Sequence, residues 1–163
     1  MIQSKAWQWE SITESYWEEP SEQAQYLAFR WQRDQRKTLL DLGCGIGRHA
    51  LFFAEHGFSV DAFDLSAHGV ATLQQQATEK ALPITVQIGD MLYLPYNSCS
   101  FDCVLAFHTI YHTDKKGLLQ VISEIHRVLV PTGEAYLTFV SHKAVPTLDL
   151  TTFKRLDEHT FLP

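Results

Sequence analysis

The stretch LLDLGCGIGRHALFFAEHGFSVDAFDLS, residues 39–66, decides the fold of this chain. Its apolar period changes from strand-like to helix-like and back, and a glycine turn at Gly43, Gly45 and Gly47 marks the first change. Gly57 supplies the left-handed residue that ends the helix. The stretch therefore predicts a strand, a helix and a second strand: Thr38–Asp41, Arg48–Glu55 and Phe58–Phe63.

The same alternation continues on both sides of this stretch. Before it, the pattern predicts a helix over Ser21–Asp34, with Ser21 as its N-cap. After it, the patterns predict two more helices and three more strands: Ser66–Lys80, Pro83–Ile88, Phe101–His108, Lys115–Val130 and Glu134–Val140. Such alternation indicates an α/β fold with a Rossmann-like, doubly wound and mostly parallel sheet of about five strands. Ligands of these sheets bind at the carboxyl ends of the strands.

Composition indicates one folded domain and excludes several classes of partner. The chain has 163 residues, of which 45% are apolar and 20% charged, so disordered and collagen-like classes are excluded. The net charge of −6 opposes binding to nucleic acid. No apolar run reaches the ~18 residues of a membrane span. The three cysteines include no Cys-x-x-Cys pair, so we expect no metal site, no disulfide framework and a soluble protein of the reducing cytoplasm.

The glycine turn does not fit the common nucleotide-binding motifs. A dinucleotide fingerprint requires a third glycine where this chain has Arg48, and a P-loop requires a Gly-Lys-Ser/Thr ending that is absent. A nucleotide-binding oxidoreductase is therefore disfavoured. The turn still allows a ligand to lie against backbone amides at a helix N-terminus, where a carboxylate is favourable.

Three acidic residues lie at the ends of the first three predicted strands. Asp64 follows Gly43 by about twenty residues, the position from which a carboxylate accepts both hydroxyls of a ribose. Asp90 is placed to accept from an exocyclic amine while the Met91 amide donates to a ring nitrogen, and Asp41 ends the first strand. Each acid alone is typical of a loop or a cap, but together they surround one glycine turn.

At this point the chain resembles class I S-adenosylmethionine-dependent methyltransferases. The resemblance is carried by the opening stretch, by IGDMLYLPYNSCSFDCVLAFHTIYHT at residues 88–113, and by EIHRVLVPTGEAYLTF at residues 124–139. Within the family, the glycine turn followed by Arg48 and His49 is most similar to the small-molecule tellurite-resistance and thiopurine methyltransferases. The resemblance implies S-adenosylmethionine as cofactor and S-adenosylhomocysteine as product.

The resemblance also implies a role for individual residues. It assigns the methionine end of the cofactor to Asp41, Gly43, Cys44 and Gly45, the ribose to Asp64 and Leu65, the adenine to Asp90 and Met91, and the wall beside the sulfonium to His108. The implied reaction is methyl transfer to a small-molecule acceptor by in-line displacement, for which a base is needed only when the acceptor carries a proton.

The residues expected on the acceptor side have alternative roles. His108 is a cofactor wall or an acid/base group, and His112 is a base or substrate contact or an exposed loop histidine. Tyr111 is a substrate gate or loop packing, and Arg48 contacts substrate or forms a surface ion pair. Trp17 is a candidate substrate contact, since the N-terminal tryptophans form either a lid or simple packing on the sheet. We take His108 and His112 as the catalytic candidates.

The C-terminal part departs from the family pattern. Residues 1–36 are expected to form a helical arm or lid, residues 37–141 the cofactor-binding core, and residues 142–163 a tail that is too short for the usual final helix and hairpin. The fifth strand would then be an edge, covered by the tail or by a second copy of the chain in a homodimer. The alternative to an enzyme is therefore a methyltransferase-like S-adenosylmethionine-binding or regulatory protein without efficient catalysis.

Overall fold

The computed structural model describes residues 4–9, 15–140, 154–155 and 161–162. Within these described residues, a short 3-10 helix, Ser15–Trp17, precedes four α-helices and seven β-strands. The helices are α1 (Glu22–Arg33), α2 (Arg48–Glu55), α3 (Ala67–Glu79) and α4 (Lys115–Val128). The strands are β1 (Thr38–Leu42), β2 (Ser59–Asp64), β3 (Ile84–Ile88), β4 (Phe101–Ala106), β5 (Leu129–Leu137), β6 (Lys154–Arg155) and β7 (Phe161–Leu162).

The main sheet has five strands in the order β3-β2-β1-β4-β5, and every neighbouring pair is parallel. The predicted Rossmann-like α/β fold is therefore confirmed. The strand order reverses between β1 and β4, since the chain first builds outward from β1 through β2 and β3 and then returns to its other side. This reversal opens a crevice beyond the carboxyl ends of β1 and β4, which is where such sheets bind ligands.

Each face of the sheet has its own apolar core. On one face, Leu39 of β1 packs with Trp31 of α1 and Phe53 of α2, all without measurable exposure. On the other face, Leu40 and Leu42 of β1 belong to the cluster that contains residues of α4. Consecutive residues of β1 thus enter opposite cores, as the period of two in a strand requires. The near-continuous apolar sequence of β1 follows from this double burial.

The boundary between α4 and β5 differs from the prediction. The pattern predicts a helix to Val130 and a strand from Glu134 to Val140, whereas α4 ends at Val128 and β5 spans Leu129–Leu137. Leu129 pairs with Phe101 before the chain passes through an irregularity, after which Glu134 pairs with Cys103. Pairing with β4 therefore draws the last two predicted helical residues into the sheet. The strand β4 ends at Ala106, two residues before the predicted end.

Strand β5 is an edge of the main sheet within the described residues, where it pairs with β4. Strands β6 and β7 pair antiparallel with each other in a separate sheet. The sequence does not predict these two strands, since two residues are too few to show an alternation. Most of the predicted tail, residues 142–163, lies outside the described residues. The homodimer through the β5 edge remains a prediction. Among the described helices, none has the length and apolar character needed to span a bilayer.

Arg127 joins α4 to the segment that follows β3. Its guanidinium donates to the carbonyl oxygens of Tyr96, at 2.6 Å, and Leu94, at 3.0 Å, and to the carboxylate of Glu124 at 2.8 Å. The same carboxylate accepts from the Leu94 amide at 2.8 Å. We expect Arg127→Met to lower the free energy of unfolding by about 1–3 kcal/mol, because it leaves these acceptors without their charged donor.

Urea denaturation followed by circular dichroism measures this loss. The matched control is Lys80→Met, which removes an exposed ion pair to Glu55 at 2.7 Å and should change stability by about 1 kcal/mol or less. Equal losses in the two variants would show that the Arg127 network contributes no more than an ordinary surface pair.

Candidate active site

The glycine turn lies at the carboxyl end of β1 in the left-handed backbone conformation. Gly43, Gly45 and Gly47 have φ angles of 75°, 55° and 96°, which L residues with side chains rarely adopt. A Cβ atom at each position would overlap a side chain, from Thr109, Trp9 and Leu73 respectively. The sequence predicts that a ligand lies close to this backbone. In the structure, side chains of the protein lie there.

Asp64 connects the end of β2 to this turn. One carboxylate oxygen accepts from the Gly45 amide at 2.8 Å, and the other accepts from the Ser66 amide at 2.7 Å. Burial raises the pKa of Asp64, and these backbone hydrogen bonds oppose the rise. Each oxygen retains a further lone pair for a ligand hydroxyl.

Asp41 is the most buried carboxyl of the site. It is 2% exposed, and its Oδ2 atom has no hydrogen-bond partner in the described structure. Burial raises the pKa of Asp41 to about 7, and the nearby negative charge of Asp64 adds to the rise. Cys44 is also buried, and the pKa of its thiol is raised for the same reason. At neutral pH, Asp41 is therefore partly protonated and Cys44 remains a thiol.

Asp90, Met91 and Leu65 lie on the β3 side of the crevice. Asp90 accepts from the Leu92 amide at 2.9 Å and from the Ser4 hydroxyl. Leu65 and Met91 line a cavity next to it. The structure thus places Asp90 and Met91, predicted for the adenine, near Leu65, predicted for the ribose. Ser4 already donates to the Asp90 carboxylate.

Three residues predicted to act on the acceptor side follow β4. His108 has a φ of 57°, and its amide donates to Thr138 Oγ1 at 2.7 Å. A ring nitrogen of His112, Nε2, lies 3.2 Å from the His108 carbonyl oxygen, so Nε2 carries the proton and Nδ1 is left as the basic atom. Burial lowers the pKa of both histidines and raises the pKa of Tyr111 to about 12. All three side chains are therefore neutral at neutral pH.

Arg48 is not the surface ion-pair partner that one alternative predicts. It is 8% exposed and makes no ion pair with a described residue. Its Nη1 atom donates to the carbonyl oxygens of Tyr16 and Glu19, at 3.2 Å and 3.4 Å. Residues 16–19 cover it, which is why a position in the first turn of a helix is buried.

Two cavities lie between these residues, with volumes of about 90 Å³ and about 30 Å³. The larger is lined by eight of the predicted residues: Trp17, Gly43, Cys44, Arg48, Asp64, His108, Tyr111 and His112. The smaller contains Leu65 and Met91 and shares Gly43, Asp64 and His112 with the larger. Asp41, Gly45 and Asp90 line neither cavity. The structure therefore brings ten of the thirteen predicted residues to these two cavities, while their individual roles remain predictions.

The segment Ser4–Trp9, here called the covering segment, closes the crevice from above. Ser4 donates to Asp90, and the Lys5 amide donates to the His112 carbonyl at 3.3 Å. Trp9 packs on Gly45 and Gly69, and the Trp7 ring centroid lies 5.6 Å from that of His112. These contacts favour the lid over packing on the sheet.

Several residues of the cavities carry no signal in the sequence that marks them as site residues. Ser4 and Lys5 show no periodicity, and Phe107 is one apolar residue in an apolar strand run. The sequence places His49 beside Arg48 at the start of α2. It is buried, it contacts Ser21 at 3.2 Å, and burial lowers its pKa to about 3. It is therefore a packed neutral histidine rather than a base.

The covering segment leaves little room for a nucleoside. An engineered cavity of about 150 Å³ takes up one benzene molecule, and adenine is larger than benzene. Each cavity here is smaller than that volume. Moreover, the indole N–H groups of Trp7 and Trp9 are buried without a hydrogen-bond acceptor in the described structure, which is unfavourable. We therefore expect the covering segment to move when an adenosyl ligand binds.

Comparison with known proteins identifies the family. Residues 39–133 match the family described as "Methyltransferase domain". The norajmaline N-methyltransferase of Rauvolfia serpentina is 31% identical over 110 residues, which cover 66% of this chain and 37% of that enzyme. The malonyl-[acyl-carrier protein] O-methyltransferase of Salmonella typhimurium is 30% identical over 70% of this chain and 43% of that enzyme. The chain thus spans less than half the length of either enzyme.

A solved structure agrees with the fold. The crystal structure of the PH0226 protein from Pyrococcus horikoshii OT3 superimposes with a TM-score of 0.71, at 22% identity, and covers 95% of this chain and 77% of that one. At this identity the likeness concerns the architecture alone.

The raised pKa of Asp41 makes a prediction about stability. An unfolded aspartate has a pKa of about 4, whereas that of Asp41 is about 7. Between these values the folded state holds a proton that the unfolded state releases, so the free energy of unfolding falls as pH rises from about 4 to about 7. We expect Asp41→Asn to reduce this slope, so that it gains stability relative to the wild type at the upper end of the range.

Urea unfolding at a series of pH values checks this expectation. Asp34→Asn is the control, because Asp34 lies at the surface beside Arg33, which lowers its pKa. That variant should keep the wild-type slope in the same window. An unchanged slope in Asp41→Asn would contradict a buried, protonated carboxyl.

Movement of the covering segment makes a second prediction. If S-adenosylhomocysteine displaces Trp9 from Gly45, the indole becomes exposed and tryptophan emission shifts to longer wavelength. We expect Trp9→Phe to lose part of this shift in a fluorescence titration. Trp31→Phe, which changes a fully buried tryptophan packed on Phe53 in the core, should retain it. The same shift in all three proteins would show that Trp9 stays in place.

Proposed function

Since this chain belongs to the methyltransferase domain family, we propose that it transfers a methyl group from S-adenosylmethionine to a small-molecule acceptor by in-line displacement. The observation that carries the proposal is the position of Asp64. Its carboxylate binds the Gly45 amide at 2.8 Å and lines both cavities at the carboxyl ends of the strands. A carboxylate at the end of the second strand, beside a glycine turn, is suited to bind ribose hydroxyls.

The residues of the crevice fit this cofactor once the covering segment moves. The left-handed glycines carry no side chains of their own, and the Trp9 ring lies over Gly45 in the position that a Cβ atom there would occupy. Behind the turn, the buried Oδ2 atom of Asp41 has no hydrogen-bond partner among the described residues. Asp64 and Leu65 would hold the ribose, Asp90 and Met91 the adenine, and Gly43, Cys44 and Gly45 the methionine part. When bound, S-adenosylmethionine supplies a methyl group on a positively charged sulfur that leaves as a neutral thioether.

The residues after β4 supply an uncharged wall and a proton acceptor. His108 lines the larger cavity, and burial together with the positive charge of Arg48 lowers its pKa. His112 donates through Nε2 to the His108 carbonyl, so Nδ1 is the ring atom that can accept a proton from an N–H or O–H acceptor. Because its pKa is lowered, His112 is unprotonated at neutral pH and is ready to act as a base. An acceptor without an ionisable proton requires no such step.

Closure of the covering segment excludes water from the reacting atoms. Trp7, Trp9 and Trp17 surround the larger cavity, and the rings of Trp9 and Trp17 meet edge to face with centroids 5.7 Å apart. A dry and rigid wall orients an acceptor and prevents competing hydrolysis. The segment therefore has to open for the ligands and close again over them.

The acceptor class is part of the proposal. The relatives above are named as an N-methyltransferase and an O-methyltransferase, which supports a nitrogen or oxygen acceptor on a small or carrier-borne molecule. The finer likeness to tellurite-resistance and thiopurine methyltransferases rests on Arg48 and His49 after the glycine turn. A cytoplasmic location likewise remains a prediction.

The alternative is a protein that binds the cofactor without efficient turnover. Calorimetry with S-adenosylhomocysteine tests binding, and a methyl-transfer screen over small amines, phenols, thiols and carboxylic acids tests turnover. Binding with turnover supports the enzyme, and binding without turnover supports the alternative. Absence of binding to the wild type overturns both.

Asp64 provides the sharpest single test of the cofactor assignment. Asp64→Asn removes the charge that strengthens hydrogen bonds from the ribose hydroxyls, so affinity for S-adenosylhomocysteine should fall by roughly one to two orders of magnitude. The matched control is Asp61→Asn, on the same strand, because Asp61 lines neither cavity. Circular dichroism confirms that both variants fold. Unchanged affinity in a folded Asp64→Asn would reject the ribose role.

A further inference from the structure

Arg48 is a desolvated cation on the wall of the larger cavity. It is the one buried arginine among residues 15–140, and its guanidinium carbon lies 5.0 Å from the ring centroid of Trp17, 5.2 Å from that of Tyr16 and 5.4 Å from that of Phe107. These rings stabilise a cation, but they offer it no hydrogen-bond acceptors of the strength of a carboxylate. Its burial therefore has to be compensated elsewhere.

The hydrogen bonds of Arg48 provide little of this compensation. A guanidinium has five N–H donors, and the recorded bonds of Arg48 come from Nη1 alone, to the carbonyl oxygens of Tyr16 at 3.2 Å and Glu19 at 3.4 Å. Charge-assisted bonds to a carboxylate are typically about 2.7–2.9 Å long. Arg48 is thus held by weak bonds on one side and has donors left for another acceptor.

Other described arginines show what Arg48 lacks. Arg30 pairs with Glu134, Arg33 with Asp34 and Arg127 with Glu124, and their side chains are between 28% and 64% exposed. Arg48 is less exposed than any of them and has no carboxylate within 4.0 Å in the described structure. Arg48, the most buried of the described arginines, therefore has no anion beside it among the described residues.

The groups that face Arg48 do not neutralise it. His49 and His108 are neutral, because burial and the positive charge of Arg48 lower their pKa values. Asp41 is partly protonated at neutral pH. Asp64 is the one carboxyl group among the described residues that line the larger cavity, it is already bound to two backbone amides, and Lys5 adds a second cation. This side of the cavity has an excess of positive charge.

We infer that Arg48 binds a carboxylate group of a ligand in the larger cavity. The inference rests on the proposed function, because the carboxylate belongs either to the methionine part of the cofactor or to the acceptor. Both sources share the same chemistry, namely a planar anion that accepts from the fork of a guanidinium. The aromatic rings around Arg48 exclude water and strengthen this pair.

The first part of the test concerns the cofactor. S-adenosylhomocysteine and 5′-methylthioadenosine share the adenosyl thioether, but only the former carries the amino-acid carboxylate. If the cofactor is the source, the wild type binds S-adenosylhomocysteine more tightly than 5′-methylthioadenosine, and Arg48→Gln reduces this preference at least about tenfold. Arg48→Lys should recover part of it. Arg33→Gln removes an exposed charge that lines neither cavity and should leave the preference unchanged.

The second part concerns the acceptor and is measured with and without S-adenosylhomocysteine. Indole-3-acetate and indole-3-acetamide have the same aromatic body, but only the former is an anion. If the acceptor is the source, the wild type prefers the acid, and Arg48→Gln loses this preference at least about tenfold while its affinity for S-adenosylhomocysteine stays at the wild-type value.

The outcomes separate this inference from the proposed function. A wild type that does not bind S-adenosylhomocysteine rejects the proposed cofactor, but the measurement without it still tests Arg48. Folded Arg48→Gln with both preferences unchanged overturns the inference. If Arg48→Gln does not fold, side-chain NMR of wild-type Arg48 replaces it, with the Nε–H signal assigned through Arg48→Lys. A shift with the carboxylate member of a pair supports the inference, and no shift with either acid overturns it.

Discussion

The hydrogen bond from the Gly45 amide to the Asp64 carboxylate joins the turn after β1 to the end of β2. The parallel register brings these two ends level, since Leu42 pairs with Phe63. The Gly43 amide donates to the Phe63 carbonyl at 2.7 Å, and Asp64 also accepts from the Ser66 amide at the start of α3. One carboxylate thus fixes a turn, a strand end and a helix start. Asp64 also lines both cavities, so this unit forms part of the wall of each.

Local signals in the sequence predict much of the fold. Helix α2 has its predicted bounds, Arg48–Glu55, because a glycine turn precedes it and Gly57 closes it. The predicted end of α4 is wrong by two residues, because the helical period of the sequence continues through Leu129 and Val130. In the structure, pairing of Leu129 with Phe101 draws these residues into β5. Such competition between a helix and a distant strand cannot be seen in a local pattern.

Local patterns also predict part of the candidate site, but not the part that depends on distant segments. Asp41 and Asp64 lie at the ends of β1 and β2, and Asp90 follows β3. Parallel strands bring these ends together without further information. By contrast, Ser4 and Asp90 are in contact although they are 86 positions apart in the sequence. The segment around Ser4 has no periodicity that would predict this contact. The burial of Arg48 also depends on a distant segment, because residues 16–19 lie over it. Its position in the first turn of α2 indicates an exposed side chain instead.

The backbone of His108 has a conformation that glycine adopts more easily than histidine. Its φ of 57° lies in the left-handed region, where a residue with a Cβ atom costs roughly 1–2 kcal/mol relative to glycine. Glycine would relieve this cost but would remove the ring from the wall of the cavity, and a β-branched residue would increase it. Few amino acids can therefore replace His108. At this residue, stability favours glycine, whereas the chemistry of the site favours histidine. A search for more stable variants would therefore select substitutions that remove the imidazole.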